Sequence, residues 1–141
     1  MIQLKNYING EFLDPIQNEW LDNYNPSIGS VYGQTPNSSL KDVNLAYKAA
    51  KKAFVSWSQT SLEKRSAILL KIASLIEANL DRFAEAESKD NGKPISVAKT
   101  VDIPRAASNF RFFGHAITQF YSESYETKSE KTINYTLRHP L

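Results

Sequence analysis

Residues 63–94, EKRSAILLKIASLIEANLDRFAEAESKDNGKP, predict two consecutive helices and the points at which they end. Its apolar residues recur at intervals of three and four, which places them on one side of a helix: Ile68, Leu69, Ile72, Leu75 and Ile76. We expect Asn79–Asp81 to break or bend this helix, because such side chains hydrogen-bond to their own backbone. The second helix should end at Gly92, which suits a left-handed C-cap, just before Pro94.

Toward the N-terminus, capping signals predict where two helices begin. Residues 60–63, Thr-Ser-Leu-Glu, have the spacing of a capping box, and residues 39–42, Ser-Leu-Lys-Asp, form a similar box with a shorter acid. The latter predicts a helix over residues 41–57. Its apolar residues fall on one face at helical spacing, namely Val43, Ala46, Tyr47, Ala50, Phe54 and Trp57. Lys48, Lys51 and Lys52 fall elsewhere on this helix, and a solvated face explains them without a partner.

Residues 6–36 are rich in aromatic residues and turn formers, which is typical of short strands. NYINGEFLD, residues 6–14, predicts two paired strands around Asn9-Gly10, the strongest short hairpin signal. Residues 30–34 predict a further strand after the turn signals Asn25-Pro26 and Ile28-Gly29. We expect this region to form a small antiparallel edge layer rather than a domain of its own.

Residues 95–122 have a helical pattern that Pro104 interrupts. Either one helix kinks there, or a new helix begins with Asp102 as its N-cap and Pro104 in its first turn, which is the interpretation we favour. The expected apolar face beyond it consists of Phe110, Phe113, Ile117 and Phe120.

The last residues alternate between polar and apolar side chains. Residues 122–131 are polar and predict a loop, and residues 131–137 alternate as expected for a half-buried strand. No partner strand follows before Leu141, so we expect the chain to be a piece of a longer protein.

Composition excludes several functional classes. The 141 residues carry a net charge of only +2 with no dense basic block, which argues against nucleic acid as a partner. No cysteine is present, so these residues contain no disulfide, no thiolate metal site and no cysteine nucleophile. The sequence has no signal-peptide pattern and no apolar run long enough for a membrane span. We therefore expect a cytoplasmic protein without a membrane partner.

Common catalytic motifs are missing from the sequence. Its two histidines, His115 and His139, have no second ligand at metal-binding spacing. Residues 91–94, Asn-Gly-Lys-Pro, lack the first glycine and the Ser/Thr of a phosphate-binding loop, and there is no G-x-G-x-x-G. The residues alone indicate a mostly α-helical chain with short antiparallel edge strands, a C-terminal strand and no complete active site.

Five segments together resemble the N-terminal part of the aldehyde dehydrogenase family. They are YINGEFLD, NPSIGSVYGQTP, DVNLAYKAAKKAFVSW, the opening stretch 63–94, and NYTLRHPL. They occur in the order and at about the spacings found in that family, and together they cover nearly the whole chain.

The resemblance implies that the complete protein is several times longer and has an α/β fold. Residues 1–130 would belong to its cofactor-binding domain, and residues 131–141 would begin a hairpin used for oligomerisation, in a homodimer or homotetramer. In the family, a cysteine thiolate attacks the aldehyde, hydride leaves to NAD or NADP, and water activated by a glutamate releases the acid. The cysteine, the glutamate and most of the cofactor site would lie beyond Leu141, so the 141 residues alone should be inactive.

The segment DIPRAASNFRFF, residues 102–113, resembles the 2-aminomuconic and 2-hydroxymuconic semialdehyde dehydrogenases within that family. The resemblance implies that Arg105 lines the substrate tunnel and pairs with a substrate carboxylate, which a planar guanidinium can bind through two parallel hydrogen bonds. The alternative from the residues alone is that Arg105 pairs with Asp102, three residues back. Arg111 is expected to pair with an acid or to serve a structural contact.

The resemblance also implies a monovalent cation site, with Asp90 and the backbone carbonyls of Asn23 and Tyr24 as oxygen ligands. The alternative is that Asp90 only hydrogen-bonds the end of its helix and the following turn. Two further possibilities stay open at this stage: an aldehyde dehydrogenase for an aliphatic or betaine-type aldehyde, and a non-catalytic helical interaction protein.

Overall fold

The computed structural model describes residues 2–139. Its strands are β1 (Ile2–Gln3), β2 (Asn6–Ile8), β3 (Glu11–Leu13), β4 (Trp20–Asn25), β5 (Ser30–Pro36), β6 (Ser124–Thr127) and β7 (Thr132–Tyr135). Its α-helices are α1 (Leu40–Trp57), α2 (Leu62–Ala78), α3 (Leu80–Asn91), α4 (Ile95–Val97) and α5 (Ile103–Ala116). A π-helical turn, Ala98–Asp102, joins α4 to α5, and a 3₁₀ turn, Ile117–Gln119, follows α5. The mostly helical architecture with short strands is confirmed.

The N-terminal strands form two small sheets. In the first, β5 pairs antiparallel with β4 and parallel with β1, so one strand pair departs from the expected antiparallel layer. In the second, β2 and β3 form the predicted hairpin. Its turn residues Asn9 and Gly10 have φ values of 54° and 87°, as a tight hairpin turn of this kind requires.

The predicted capping box at the start of α1 is present. The Asp42 carboxylate accepts hydrogen bonds from the Ser39 N–H and hydroxyl, both at 2.8 Å. It also accepts one from the Ile16 N–H at 2.9 Å, which ties the loop before β4 to the helix. These bonds lower the pKa of Asp42, with the Ile16 N–H making the largest contribution. Asp42 is therefore a buried carboxylate that stabilises the start of α1 and the loop before β4.

The capping residue of α2 is Ser61, one position after the predicted Thr60. Ser61 has an extended backbone, and its hydroxyl accepts the Lys64 N–H at 3.3 Å. The predicted box over residues 60–63 is not formed, because the Thr60 N–H, which a box would direct to Glu63, bonds to the Trp57 carbonyl at the end of α1.

The break between the next two helices is confirmed, and so is the end of the second. Asn79, with φ −116°, separates α2 from α3. Gly92 caps α3 in the left-handed conformation at φ 78°. A Cβ atom at Gly92 would lie 3.1 Å from Pro26 Cβ, so the close approach of the loop after β4 also favours glycine here.

The backbone stays helical through Asp102, and the preference for a new helix capped by this residue is wrong. Asp102 has φ −68° and ψ −52°, and its side chain makes no capping hydrogen bond. The Ile103 N–H instead reaches back five residues to the Ala98 carbonyl, which is the π-helical pattern. Pro104 does occupy the first turn of α5, as predicted. The wider π turn accommodates the proline without ending the helix.

Residues 122–131, predicted as a loop, contain β6, and β7 has this preceding strand as its partner. The two pair antiparallel, with Ser124 opposite Tyr135 and Thr127 opposite Thr132. The loop prediction failed because polar residues such as Ser, Glu and Thr fill a hairpin whose faces are both exposed, so no alternation marks it. The prediction that residues 131–141 begin an oligomerisation hairpin is not tested by this pairing.

Small residues form the buried centre of the helical layer. Ala73, Ala84, Ala98 and Ala107 are at most 1 % exposed, and within residues 2–139 no large side chain is fully buried. The accessible surface is 10,930 Å², whereas a compact monomer of 15.9 kDa exposes about 7,400 Å². The predicted apolar face of α1 remains largely uncovered, with Val43 56 % and Tyr47 61 % exposed. Across residues 2–139 the structure contains no helix with the length and apolarity to cross a bilayer.

The face that α5 presents to α2 differs from the predicted apolar stripe. Ala107 and Gly114 are buried, whereas Phe113 and Phe120 are 61 % and 65 % exposed. Gly114 permits the close approach, because a Cβ atom there would lie 3.0 Å from Leu70 Cδ2 on α2. The Ser66 hydroxyl donates to the Gly114 carbonyl across this interface at 2.7 Å.

Candidate functional site

Arg105 lies in the first turn of α5, immediately after the π turn, and its side chain is exposed. Among residues 2–139, no carboxylate lies within ion-pair distance of its guanidinium. The alternative pairing with Asp102 is therefore not formed, although the two residues are one helical turn apart. The guanidinium of Arg105 is exposed, and none of its N–H groups donates a hydrogen bond to another residue within 2–139.

Asp102 pairs with Lys93 instead. The Lys93 Nζ lies 2.8 Å from Asp102 Oδ2, and the two side chains are 45 % and 26 % exposed. The hydrogen bond with Asp102 is the main cause of a raised pKa at Lys93. The sequence did not predict this pair, because the turn at Gly92 separates its members and the nine-residue spacing is not a helical one.

Local hydrogen bonds fix the turn from which Lys93 extends. The Lys93 N–H donates to Asn91 Oδ1 at 2.9 Å, and the Ser88 hydroxyl donates to the Lys93 carbonyl at 2.6 Å. Gly92 supplies the left-handed residue between them. The backbone of Lys93 is thus held on both sides before its side chain crosses to Asp102.

A second ion pair joins the π turn to α3. The Lys99 Nζ lies 2.8 Å from Asp81 Oδ1. Its N–O distance equals that of the Lys93–Asp102 pair, and each pair includes one residue of the π turn. Neither Lys99 nor Asp81, however, is a helical neighbour of Arg105.

Arg111 has a structural partner, in agreement with the prediction for it. Its guanidinium donates to Glu77 Oε2 at 2.5 Å, which links α5 to α2. Arg111 therefore has the acid that Arg105 lacks.

Two of the three residues predicted to hold a monovalent cation lie together. The Asn23 side-chain amide donates to Asp90 Oδ1 at 2.8 Å, so β4 and the end of α3 are in contact. Tyr32 on β5 completes the group, because its hydroxyl donates to the same Asp90 oxygen at 2.6 Å. We call Asn23, Tyr32 and Asp90 the Asp90 cluster. Tyr24 follows Asn23 in β4, and its side chain is 54 % exposed.

Hydrogen bonding perturbs both acidic groups of the Asp90 cluster. The Tyr32 hydroxyl, followed by the Asn23 amide, lowers the pKa of Asp90. The hydrogen bond to Asp90 raises the pKa of Tyr32 to about 12. The sequence analysis did not predict Tyr32, because it is 58 residues from Asp90 and only the tertiary contact between the β4–β5 pair and α3 brings them together.

The chemistry of the Asp90 cluster favours a structural role for Oδ1, which already accepts two hydrogen bonds. No group of three His, Cys, Asp or Glu side chains within residues 2–139 is arranged to hold a metal ion. The alternative that Asp90 bonds only to its own helix end is not what the structure has, because its partners lie on β4 and β5. The cation site at Asn23, Tyr24 and Asp90 stays a prediction.

A cavity of about 510 Å³ lies between the start of α2, the end of α5 and the segment after β7. It combines apolar side chains with cationic ones, its lining residues being Leu62, Arg65, Ile117, Phe120, Ser122, Leu137, Arg138 and His139. The Nε atom of Arg65 is buried without a hydrogen-bond partner among the described residues. No sequence signal predicts this cavity, because its cationic residues lie more than one helix apart in the chain.

Comparison with known proteins identifies the family. The model of the aldehyde dehydrogenase family matches residues 12–141. The chain is 42 % identical to human 2-aminomuconic semialdehyde dehydrogenase over 141 residues, which is the whole chain and 28 % of that protein. It is 40 % identical to a long-chain-aldehyde dehydrogenase of an Acinetobacter species over 139 residues, covering 99 % of this chain and 27 % of the relative.

Solved structures agree with the sequence relatives. The crystal structure of PnpE in complex with nicotinamide adenine dinucleotide superposes with a TM-score of 0.87 at 33 % identity, over 91 % of this chain and 26 % of PnpE. The chain thus spans little more than a quarter of the length of the relatives it matches. Because one continuous match covers nearly all of its residues, the chain belongs to the aldehyde dehydrogenase family.

Proposed function

We propose that the protein containing this chain is a cytoplasmic NAD- or NADP-dependent aldehyde dehydrogenase that oxidises a muconic-type semialdehyde to the acid. In this proposal Arg105 binds the carboxylate at the far end of the substrate. The observation that carries the proposal is the exposed guanidinium of Arg105, which has no acidic partner within residues 2–139.

The physical basis is the match between a guanidinium and a carboxylate. Arg presents parallel N–H donors that pair with both carboxylate oxygens, and such charge-assisted bonds are about twice as strong as neutral ones. A partner acid in the same helix would compete for these donors, and Asp102 is engaged elsewhere. Arg105 can therefore orient a semialdehyde by its carboxylate, with the aldehyde group directed away from α5.

The reacting groups must come from other parts of the protein. A nicotinamide cofactor, when bound, accepts the hydride released from the aldehyde carbon. The chain contains no cysteine and no glycine-rich phosphate loop, so we place neither the nucleophile nor the cofactor phosphates on it. Its own contribution is to bind and orient the substrate. We further propose that the whole protein is a homodimer or homotetramer in which residues 131–141 belong to a protruding hairpin.

A second candidate substrate is an uncharged aliphatic aldehyde. The long-chain-aldehyde dehydrogenase of Acinetobacter supports it, at an identity only two points below that of the human semialdehyde enzyme. Family membership supports either enzyme over a non-catalytic interaction protein. Arg105 distinguishes the two substrates, because a cation at this position disfavours an aliphatic chain that cannot neutralise it.

The test is the ratio of kcat/KM for 2-hydroxymuconic semialdehyde to that for hexanal, which has no carboxylate, in the full-length protein. We expect Arg105→Ala to lower this selectivity ratio roughly ten- to hundredfold, the effect of losing a hydrogen-bonded charge pair. Arg111→Ala is the matched control, since it removes an arginine of the same helix that pairs with Glu77. An Arg105→Ala ratio equal to that of the control would contradict the proposed substrate.

A further inference from the structure

We propose that Lys93 is a positioning residue that keeps Arg105 available to substrate by holding Asp102 away from it. This inference rests on the proposed function of Arg105. It makes Lys93 a determinant of substrate specificity that does not itself contact the substrate. Its structural basis is one juxtaposition: a carboxylate one helical turn before an unpaired arginine is bound by a lysine from another segment.

The positions of Asp102 and Arg105 would ordinarily pair them. Residues three apart on a helix are neighbours on its surface, and an Asp followed by an Arg at this spacing is an attractive pair. The backbone is helical at Asp102 and continues so into α5, which preserves this proximity. The absence of an Asp102–Arg105 bond therefore needs a competing partner.

Lys93 is that partner. Its Nζ lies 2.8 Å from Asp102 Oδ2, and the side chain of Asp102 is only 26 % exposed. The turn between α3 and α4 fixes the origin of the lysine, because the Asn91 amide oxygen and the Ser88 hydroxyl hold the backbone of Lys93. The Lys93 ammonium thus extends from a turn that hydrogen bonds hold in place, and it pairs with Asp102 instead of Arg105.

Loss of Lys93 should therefore reduce carboxylate binding through Arg105. In Lys93→Met, Asp102 has lost its lysine partner and pairs with Arg105. Only a fraction of the protein molecules then have an Arg105 guanidinium that is free to bind substrate. The apparent affinity for a substrate carboxylate falls in proportion to that fraction. Because an exposed ion pair is weak, we expect the KM for the carboxylate substrate to rise about two- to fivefold. We expect kcat and the KM for hexanal to stay unchanged.

The experiment measures KM and kcat for 2-hydroxymuconic semialdehyde and hexanal in variants of the full-length protein. Lys93→Met should raise the KM for the semialdehyde alone, and Lys93→Arg should preserve it. The double variant Lys93→Met/Asp102→Asn should restore the KM, because the competing carboxylate is gone. Lys99→Met is the matched control, since it removes a 2.8 Å ion pair of the same π turn that does not involve a neighbour of Arg105.

The outcomes separate this inference from the proposed function. If Arg105→Ala lowers the selectivity ratio but Lys93→Met behaves like Lys99→Met, the positioning role is overturned and the proposed substrate stands. If the double variant remains as impaired as Lys93→Met, the ion pair serves only structure, and the inference is again overturned. If Arg105→Ala itself has no effect, the proposed function fails, and this inference fails with it. In an Arg105→Ala background, adding Lys93→Met should change nothing, because its effect is transmitted through Arg105.

Discussion

Replacing Ser66 with alanine should loosen the contact between α2 and α5. Ser66 is 8 % exposed, and its hydroxyl donates to the Gly114 carbonyl on α5 at 2.7 Å. The contact is close because Gly114 has no side chain, and Leu70 of α2 occupies the space that a Cβ atom would need. The alanine variant removes a buried cross-helix hydrogen bond and leaves the surrounding surfaces intact.

The expected magnitude follows from two opposing contributions. A buried hydrogen bond of this kind stabilises by about 0.5–1.5 kcal/mol. Alanine favours a helix over serine by up to about 0.5 kcal/mol, which partly offsets the loss. Ser74→Ala is the matched control, because Ser74 lies on the same helix and donates only to the Leu70 carbonyl one turn back, at 3.1 Å and exposed to solvent. The helix-propensity gain is common to both variants, so their difference isolates the bond to Gly114.

Amide hydrogen exchange in the full-length protein measures this difference for residues 103–116. The opening free energy of α5 should be about 0.5–1.5 kcal/mol lower in Ser66→Ala than in Ser74→Ala, so its amides should exchange about two- to tenfold faster. Equal amide exchange rates in the two variants would contradict this prediction, because they would mean that the cross-helix hydrogen bond does not hold α5 against α2.

Two further predictions concern the end of α3. Gly92→Ala should lower the free energy of unfolding by roughly 1 kcal/mol or more, because the residue has φ 78° and its new Cβ would lie 3.1 Å from Pro26. Equal urea midpoints for the variant and the unmodified protein would contradict this prediction. Tyr32→Phe should destabilise modestly, by less than about 1 kcal/mol for so exposed a cluster. The pKa of Tyr32 is raised to about 12 in the folded chain, so its contribution is complete below the ordinary pKa of tyrosine and is lost as pH rises from about 10 to 12. The lowered pKa of Asp90 gives the opposite dependence, with stability present above the ordinary carboxyl pKa and lost as pH falls below it. Urea unfolding at pH 3, 7 and 11 checks both signs, and a Tyr32→Phe deficit that persists unchanged at the highest pH would count against the Tyr32–Asp90 bond.

Local chemistry made much of the secondary structure predictable. The Asn9-Gly10 hairpin, the capping carboxylate of Asp42 and the left-handed Gly92 each depend on a few adjacent residues, and all three are confirmed. The failures have local reasons too. The capping box over residues 60–63 is not formed because the Thr60 N–H bonds to the end of the preceding helix, and β6 was not predicted because neither of its faces is buried.

The candidate site was predictable only in part. The order of the segments indicated the aldehyde dehydrogenase family, which the comparisons confirm. The role of Arg105, which the resemblance implied, stays a prediction. The partners of the charged residues could not be predicted in the same way. The helical spacing offered Arg105 as the partner of Asp102, whereas the observed partner is Lys93, which a turn and a π-helical segment bring to Asp102 from nine residues away.

The helices, the Asn-Gly hairpin, the C-cap at Gly92 and the family could be predicted from the amino-acid sequence. These features follow from periodicity and from backbone preferences of single residues, which act over a few positions. Which faces are buried and which charges pair depends on how the elements pack together. The aromatic stripe of α5 is exposed, whereas Ala107 and Gly114 meet α2, because close helix packing selects small side chains rather than the most apolar ones. Likewise, Arg111 pairs with Glu77 because α2 lies beside α5, whereas Arg105 has no acidic partner among residues 2–139 and Asp102 pairs instead with Lys93 of the turn after α3.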